Sequence, residues 1–98
     1  MAGYLIANYD ITNPEAYPAY VEAVVPTLMA VGAEVLAADY DSEVLEGEPA
    51  KVSVVLKFAS KDAAREWYNS KAYQDIVHLR TMNTVGSVVL VDGFVPPA

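Results

Sequence analysis

The sequence predicts an α+β fold of ferredoxin-like type, with the element order β-α-β-β-α-β and an antiparallel sheet carrying both helices on one face. Three observations predict it. Runs of strand character lie at Tyr4–Ile11, Glu34–Tyr40, Lys51–Phe58 and Ser87–Val91. Apolar residues recur at helical spacing between the first and second of these runs, and again between the third and fourth. No long linker or low-complexity segment interrupts the series, so the 98 residues read as one domain, 1–98.

Each element has a local reason. In the first strand Leu5, Ala7, Tyr9 and Ile11 share one face, and Tyr4, Ile6, Asn8 and Asp10 share the other. Both faces are partly apolar, which suits a strand covered on both sides. Asn13-Pro14-Glu15 has the chemistry of a helix start: a capping side chain, a proline at the first position and an acid near the positive end of the dipole. Tyr17, Tyr20, Val21, Val24 and Leu28 follow at helical spacing. Pro18 falls near the first turn, whereas Pro26 removes an interior hydrogen bond and predicts a kink or break near Val25. Gly32 suits the C-terminal stop.

After the second strand, Asp41-Ser42 reads as a turn, Glu43–Glu46 as an extension of the hairpin and Gly47-Glu48-Pro49 as a further turn. The third strand is the clearest, with Val52, Val54, Leu56 and Phe58 on one face. Ser60 caps a helix presenting Ala63, Ala64 and Trp67. Ser70 caps its continuation, in which Tyr73, Ile76, Val77 and Arg80 form one stripe. Pro96-Pro97-Ala98 reads as a frayed tail.

Composition narrows partners and compartment. Thirteen acidic residues against six basic ones give a net charge of −7, which disfavours nucleic acid and anionic membrane surfaces. The acids are dispersed, as expected of a solubilising surface. Cysteine is absent, excluding disulfides, thiolate metal sites and thiol catalysis. The opening MAGYLIANYD lacks a basic stretch followed by a long apolar run, so the cytoplasm is the expected compartment. Hydrophobic residues make up 54% of the chain and charged ones only 19%, less charge than the roughly 25% usual in a soluble domain. A monomer so composed would leave large apolar patches, and a twofold dimer is the simplest remedy. The open face of the sheet, carrying Tyr4, Ile6 and Val55, would be covered by a second subunit's sheet in a dimeric α+β barrel.

The ordered pieces Gly3-Tyr4, Asn13-Pro14-Glu15-Ala16-Tyr17 with Tyr20, Gly32, Glu43–Gly47, Val54–Phe58, Ala63-Ala64 with Trp67-Tyr68, Asn69-Ser70 with Tyr73-Gln74, Leu79-Arg80 and Val91-Asp92-Gly93 span nearly the whole chain. In this order and spacing they resemble the DUF1330 family, small proteins of unknown function in the dimeric α+β barrel superfamily. Ala33, Glu34 and Lys51 depart from the family's pattern of an added glycine and basic residues, which makes a strongly cationic pocket less expected. The resemblance implies the fold and a homodimer. It fixes no activity, since related barrels include cofactor-independent isomerases, dehydratases, monooxygenases and proteins with no known reaction.

Arg80 is the residue most suggestive of chemistry. It lies on the Tyr73 stripe, and an ionised group facing an apolar stripe needs an anionic partner. That partner is either a protein carboxylate, with Glu46 and Asp10 as candidates, or a carboxylate or enolate ligand. His78 is the lone histidine; it can serve as a general acid or base, or stand solvated beside Asp75. Tyr20, Trp67 and Tyr73 are expected as pocket walls or core, and Tyr68 at solvent, a cleft or the partner. Asn8 can orient a ligand or meet the opposite subunit. Asp62 and Glu66, interleaved with Lys61 and Arg65, read as a solvated helix face. A single histidine supports no metal site, and no nucleotide or cofactor motif is present. Two readings remain: a pocket for a small, partly apolar organic acid, with Arg80, Asp10, Glu46 and His78 as catalytic candidates, and a non-catalytic dimerisation or assembly module.

Overall fold

Residues 1–97 are described by a computed structural model; Ala98, the end of the expected frayed tail, lies outside them. The elements in chain order are β1 (Gly3–Ile11), α1 (Pro18–Ala30), β2 (Glu34–Asp39), β3 (Val52–Phe58), α2 (Lys61–Asn69), α3 (Lys71–Gln74), α4 (His78–Thr81) and β4 (Thr84–Asp92). All pairing is antiparallel and the strand order is β2-β3-β1-β4. This is the ferredoxin-like arrangement that the element order predicts.

β1 is central. It pairs with β3 from Gly3↔Phe58 to Tyr9↔Val52, and with β4 from Gly3↔Asp92 to Ile11↔Thr84. Its alternation sends Leu5, Ala7 and Tyr9 into the core, where they meet Val24 and Leu28 of α1, Ala64 and Trp67 of α2, and Tyr73 of α3. Phe58, Trp67 and Tyr73 form an aromatic run, with ring centroids 5.4 and 4.1 Å apart. Burying each such side chain contributes about 1.5–3 kcal/mol, so this cluster dominates the helix–sheet packing. The other face of β1 and β4 presents Ile6, Val85 and Val89, all exposed.

Several boundaries differ from the sequence expectation. The first helix begins at Pro18, not Pro14. Proline at position 18 has no N–H to give the carbonyl of residue 14, so a helix opened at Pro14 would lose its second bond. Residues 13–17 instead form turns in which the Asn13 carbonyl accepts from the Ala16 and Tyr17 amides. Of the kink or break expected near Val25, the break does not occur; α1 runs through Pro26 to Ala30. Gly32 ends the helix as expected, at φ +68°, with the Ala33 amide reaching back to the Leu28 carbonyl.

Glu43–Glu46 do not extend the hairpin. β2 stops at Asp39, whose carboxylate takes the Asp41 amide at 2.8 Å and turns the chain out of the sheet. Ser60 and Ser70 cap as expected, accepting from the amides of Ala63 at 3.0 Å and Tyr73 at 3.2 Å. The helix after Ser70 is not one element, because three-residue turns at Asp75–Val77 separate α3 from α4. β4 starts at Thr84 rather than Ser87. Gly86 lies within it because a Cβ there would sit 2.2 Å from the Asn8 carbonyl oxygen of β1. The glycine marks a close strand approach rather than an interruption.

Candidate functional site

α1 packs over the sheet and beside α3 and α4. Tyr17, Tyr20, Val24 and Leu28 line the space between α1 and the sheet, and Ala7 of β1 lines it from the other side. The resulting cavity has a volume of about 210 Å³. The sheet supplies its floor through Leu5, Ala7, Tyr9, Val54, Leu56 and Val88. Val21 and Val25 of α1, Val35 and Ala38 of β2, and Tyr40 line it and are also exposed, so the mouth opens between α1 and β2.

Arg80 lies at one end of this cavity. The turns between α3 and α4 keep Tyr73 and Arg80 on one side, and both are buried, Arg80 being only 8% exposed. Its backbone is fixed: the amide donates to the Val77 carbonyl at 3.0 Å, and its carbonyl accepts from the Thr84 hydroxyl at 2.8 Å. The guanidinium Nε donates to the Tyr73 hydroxyl at 3.4 Å. Its Cζ lies 6.0 Å from the ring centroids of both Tyr9 and Tyr20, within cation–π range.

Among the described residues Arg80 makes no ion pair; the pairs formed are Lys51–Asp41, Arg65–Asp62 and Lys71–Asp75, all on the surface. The two terminal amino groups of Arg80 have no hydrogen-bond partner, yet no side-chain N or O atom among the described residues is both fully buried and unpartnered. These amino groups therefore keep some accessible surface, and Arg80 is among the residues lining the cavity.

Phenols surround the charge. The Tyr20 and Tyr73 hydroxyls are 2.9 Å apart, and Tyr9 and Tyr17 share a second hydroxyl–hydroxyl bond. Burial raises the pKa of Tyr17 and Tyr20 well above the ordinary phenol value, reinforced by the neighbouring Tyr9 and Tyr73 respectively. Burial also raises that of Tyr9, against the opposing hydrogen bond from Tyr17. These three hydroxyls stay protonated at neutral pH. For Arg80, burial lowers the pKa, but the bond to Tyr73 and the adjacent phenols outweigh it, and the net displacement is upward. The arrangement is a permanent cation with uncharged O–H groups around it, suited to holding an oxyanion.

The sequence-predicted residues divide in space. Arg80, Tyr20, Trp67 and Tyr73 come together as cavity walls. Asn8 lies on the opposite face of β1, where its amide donates to the carbonyls of Ala50 at 2.9 Å and Val52 at 3.0 Å and accepts the Ala50 amide at 2.9 Å. Asp10, on that same opposite face, accepts the Lys51 amide at 2.9 Å. Glu46 is exposed in the loop beyond β2, and His78 is exposed on α4. Neither Asp10 nor Glu46 pairs with Arg80: strand alternation turns Asp10 away from the side that holds Tyr9, and the Asp39 turn carries the Glu46 loop off the sheet. Asp75 pairs with Lys71 at 2.7 Å rather than with His78. Tyr68 is half-buried, with its ring 5.3 Å from that of Tyr73. Among the described residues no group of three or more metal-ligating side chains is assembled, and no helix is long and apolar enough to cross a membrane.

Sequence reasoning missed Tyr9 and Tyr17 as a hydroxyl pair within the cavity. The available signals were the position of Tyr9 in phase with Leu5 and Ala7, and of Tyr17 three residues before Tyr20. It also missed Thr27, which accepts the Trp67 indole N–H at 3.1 Å and so ties α1 to α2.

Solved structures share this fold at low sequence identity. A protein of unknown function from Rhodopseudomonas palustris, RPA0582, aligns with a TM-score of 0.76 at 18% identity over 97% of this chain and 84% of that one. A putative antibiotic biosynthesis monooxygenase from Caulobacter crescentus aligns with a TM-score of 0.64 at 12% identity, covering 95% and 90% of the two chains. A dimeric ferredoxin-like protein of unknown function from Thermobifida fusca aligns with a TM-score of 0.64 at 13% identity, covering 94% and 91%. At these identities the likeness is one of fold. No curated protein sequence matches this chain. The sequence profile described as "Domain of unknown function (DUF1330)" matches residues 2–94, and the chain belongs to the DUF1330 family.

Proposed function

We propose that this protein is a homodimer whose subunits each bind a small, partly apolar organic anion in the cavity between α1 and the sheet. One observation carries the pocket: Arg80 is buried, has no carboxylate partner among the described residues and is one of the residues lining the cavity. A desolvated cation needs an anion, and the protein supplies none here. Tyr20 and Tyr73 give neutral donors beside it, and Trp67 is a flat apolar wall. No carboxylate or histidine lines the cavity, so the lining binds and polarises an oxyanion without a general base of its own. The reading is tested by a binding screen of small carboxylic acids. Arg80→Ala is expected to weaken the acids that bind by at least about thirtyfold, the low end for a buried charged contact. Unchanged affinities would show that the guanidinium is not the anchor.

Exposed Ile6, Val85 and Val89 on one sheet face support the dimer, as does the dimeric description of the Thermobifida relative. A non-catalytic assembly module would use the same face, but it leaves Arg80 unexplained. Light scattering coupled to size exclusion is expected to give twice the chain mass at micromolar concentration, and Val89→Asp the monomer mass. A parent chain that elutes as a monomer would remove the dimer.

A further inference from the structure

The cavity has two chemically different ends, and their separation points to the ligand class. Arg80 marks the first end through its approach to the Tyr9 and Tyr20 rings. From Tyr9 the β1 floor runs through Ala7 to Leu5, and β3 runs alongside it from Val52 to Leu56. Above, α1 runs from Tyr20 through Val24 to Leu28. The far end is thus aliphatic, bounded by Leu5, Leu28, Leu56 and the exposed edge residue Val35. Two independent rulers set the length: eight helical residues from Tyr20 to Leu28 rise about 12 Å, and four strand residues from Tyr9 to Leu5 span about 13 Å.

The volume constrains the occupant further. At about 210 Å³ the space falls below the roughly 300–1,000 Å³ of drug-sized ligand sites. It exceeds the roughly 150 Å³ of an apolar cavity that accepts benzene. So small a volume drawn out over that length is a narrow channel, which suits an unbranched chain better than fused rings. Charge adds a third limit. A single guanidinium, with neutral phenols as its only polar neighbours, compensates one negative charge, and the buried aliphatic lining of Leu5, Leu28 and Leu56 offers a second charge no partner.

Building on the reading of Arg80 as the anion anchor, we infer that the ligand is a straight-chain aliphatic monocarboxylate of medium length, its carboxylate on Arg80 and its tail running along α1 toward Leu28 and Val35. Calorimetric titration of the full chain with the even-numbered acids from acetate to decanoate tests this. Affinity is expected to rise roughly fourfold per methylene and to level off near eight carbons. Suberate, which carries a second carboxylate at the tail position, is expected to bind at least tenfold more weakly than octanoate, and 2-naphthoate more weakly than octanoate. Val35→Phe, which fills the aliphatic end from an exposed position, is expected to shorten the preferred chain. Affinity independent of chain length, suberate or naphthoate equal to octanoate, or an unshifted optimum in Val35→Phe would overturn the assignment. If the short acids still bind and depend on Arg80, such a result overturns the chain-length assignment alone and leaves the anchor in place. If no acid binds, both fall.

Discussion

Arg80→Met is expected to make the unliganded protein more stable than the parent chain, by about 1–3 kcal/mol, because it removes a desolvated and unpaired charge. What the guanidinium gains in return is small: one 3.4 Å hydrogen bond to Tyr73 and two ring contacts at 6.0 Å. Methionine retains the apolar stem, fills much of the same space and packs well against the aromatic rings around it. A rise in the urea midpoint with an unchanged slope is the expected signature. Stability gained together with ligand binding lost is the mark of a residue kept for function. A variant that unfolds more easily would instead make Arg80 a packing element, held by its ring contacts, and would remove the ground for treating it as an anchor.

The second large effect belongs to Tyr73. It is almost completely buried, its ring stacks 4.1 Å from Trp67 and lies 5.3 Å from Tyr68, and its hydroxyl meets Tyr20 and Arg80. Tyr73→Ala deletes the ring, leaves a void and orphans the Tyr20 hydroxyl, for an expected loss of about 3–5 kcal/mol. In a domain of this size each kcal/mol moves the melting temperature by about 4–8 °C, so the midpoint is expected to fall by roughly 12–40 °C. Tyr73→Phe keeps the ring and removes only the hydroxyl, and about 1–2 kcal/mol is expected from the lost hydrogen bonding. Thermal unfolding of the two variants separates packing from hydrogen bonding. Equal losses would mean that the hydroxyl network, not the stacked ring, holds α3 in place.

Features governed by near neighbours were legible in the sequence. The two faces of β1 follow from the period of a strand, and Ser60, Ser70 and Gly32 act through groups only a few residues away. Features that depend on distant groups were not. The Asn13-Pro14-Glu15 signature looks complete until Pro18 withholds the bond that the carbonyl of residue 14 would need. Asp10 and Glu46 were reasonable partners for Arg80 by charge, but the strand face of one and the loop path of the other are set by the whole sheet. The Tyr73–Arg80 stripe was read as one helix, and the chain divides it at Asp75–Val77 while keeping both ends on the same side. The pocket itself was visible only as an excess of aromatic residues. How those residues gather around one cavity depends on the packing of two layers, which no local pattern encodes.

Different layers carry different tasks. The ladders of β1, β3 and β4 and the aromatic run beneath α2 form the framework, and α1 joins it through Tyr20, Val24 and Leu28 in the shared core, the Tyr20–Tyr73 hydroxyl pair and the bond from Trp67 to Thr27. One wall of the cavity is thus a single helix, while its floor is woven into the sheet. On the proposed reading, a chain built this way changes what it recognises by rewriting one face of that helix, and leaves the sheet as it stands.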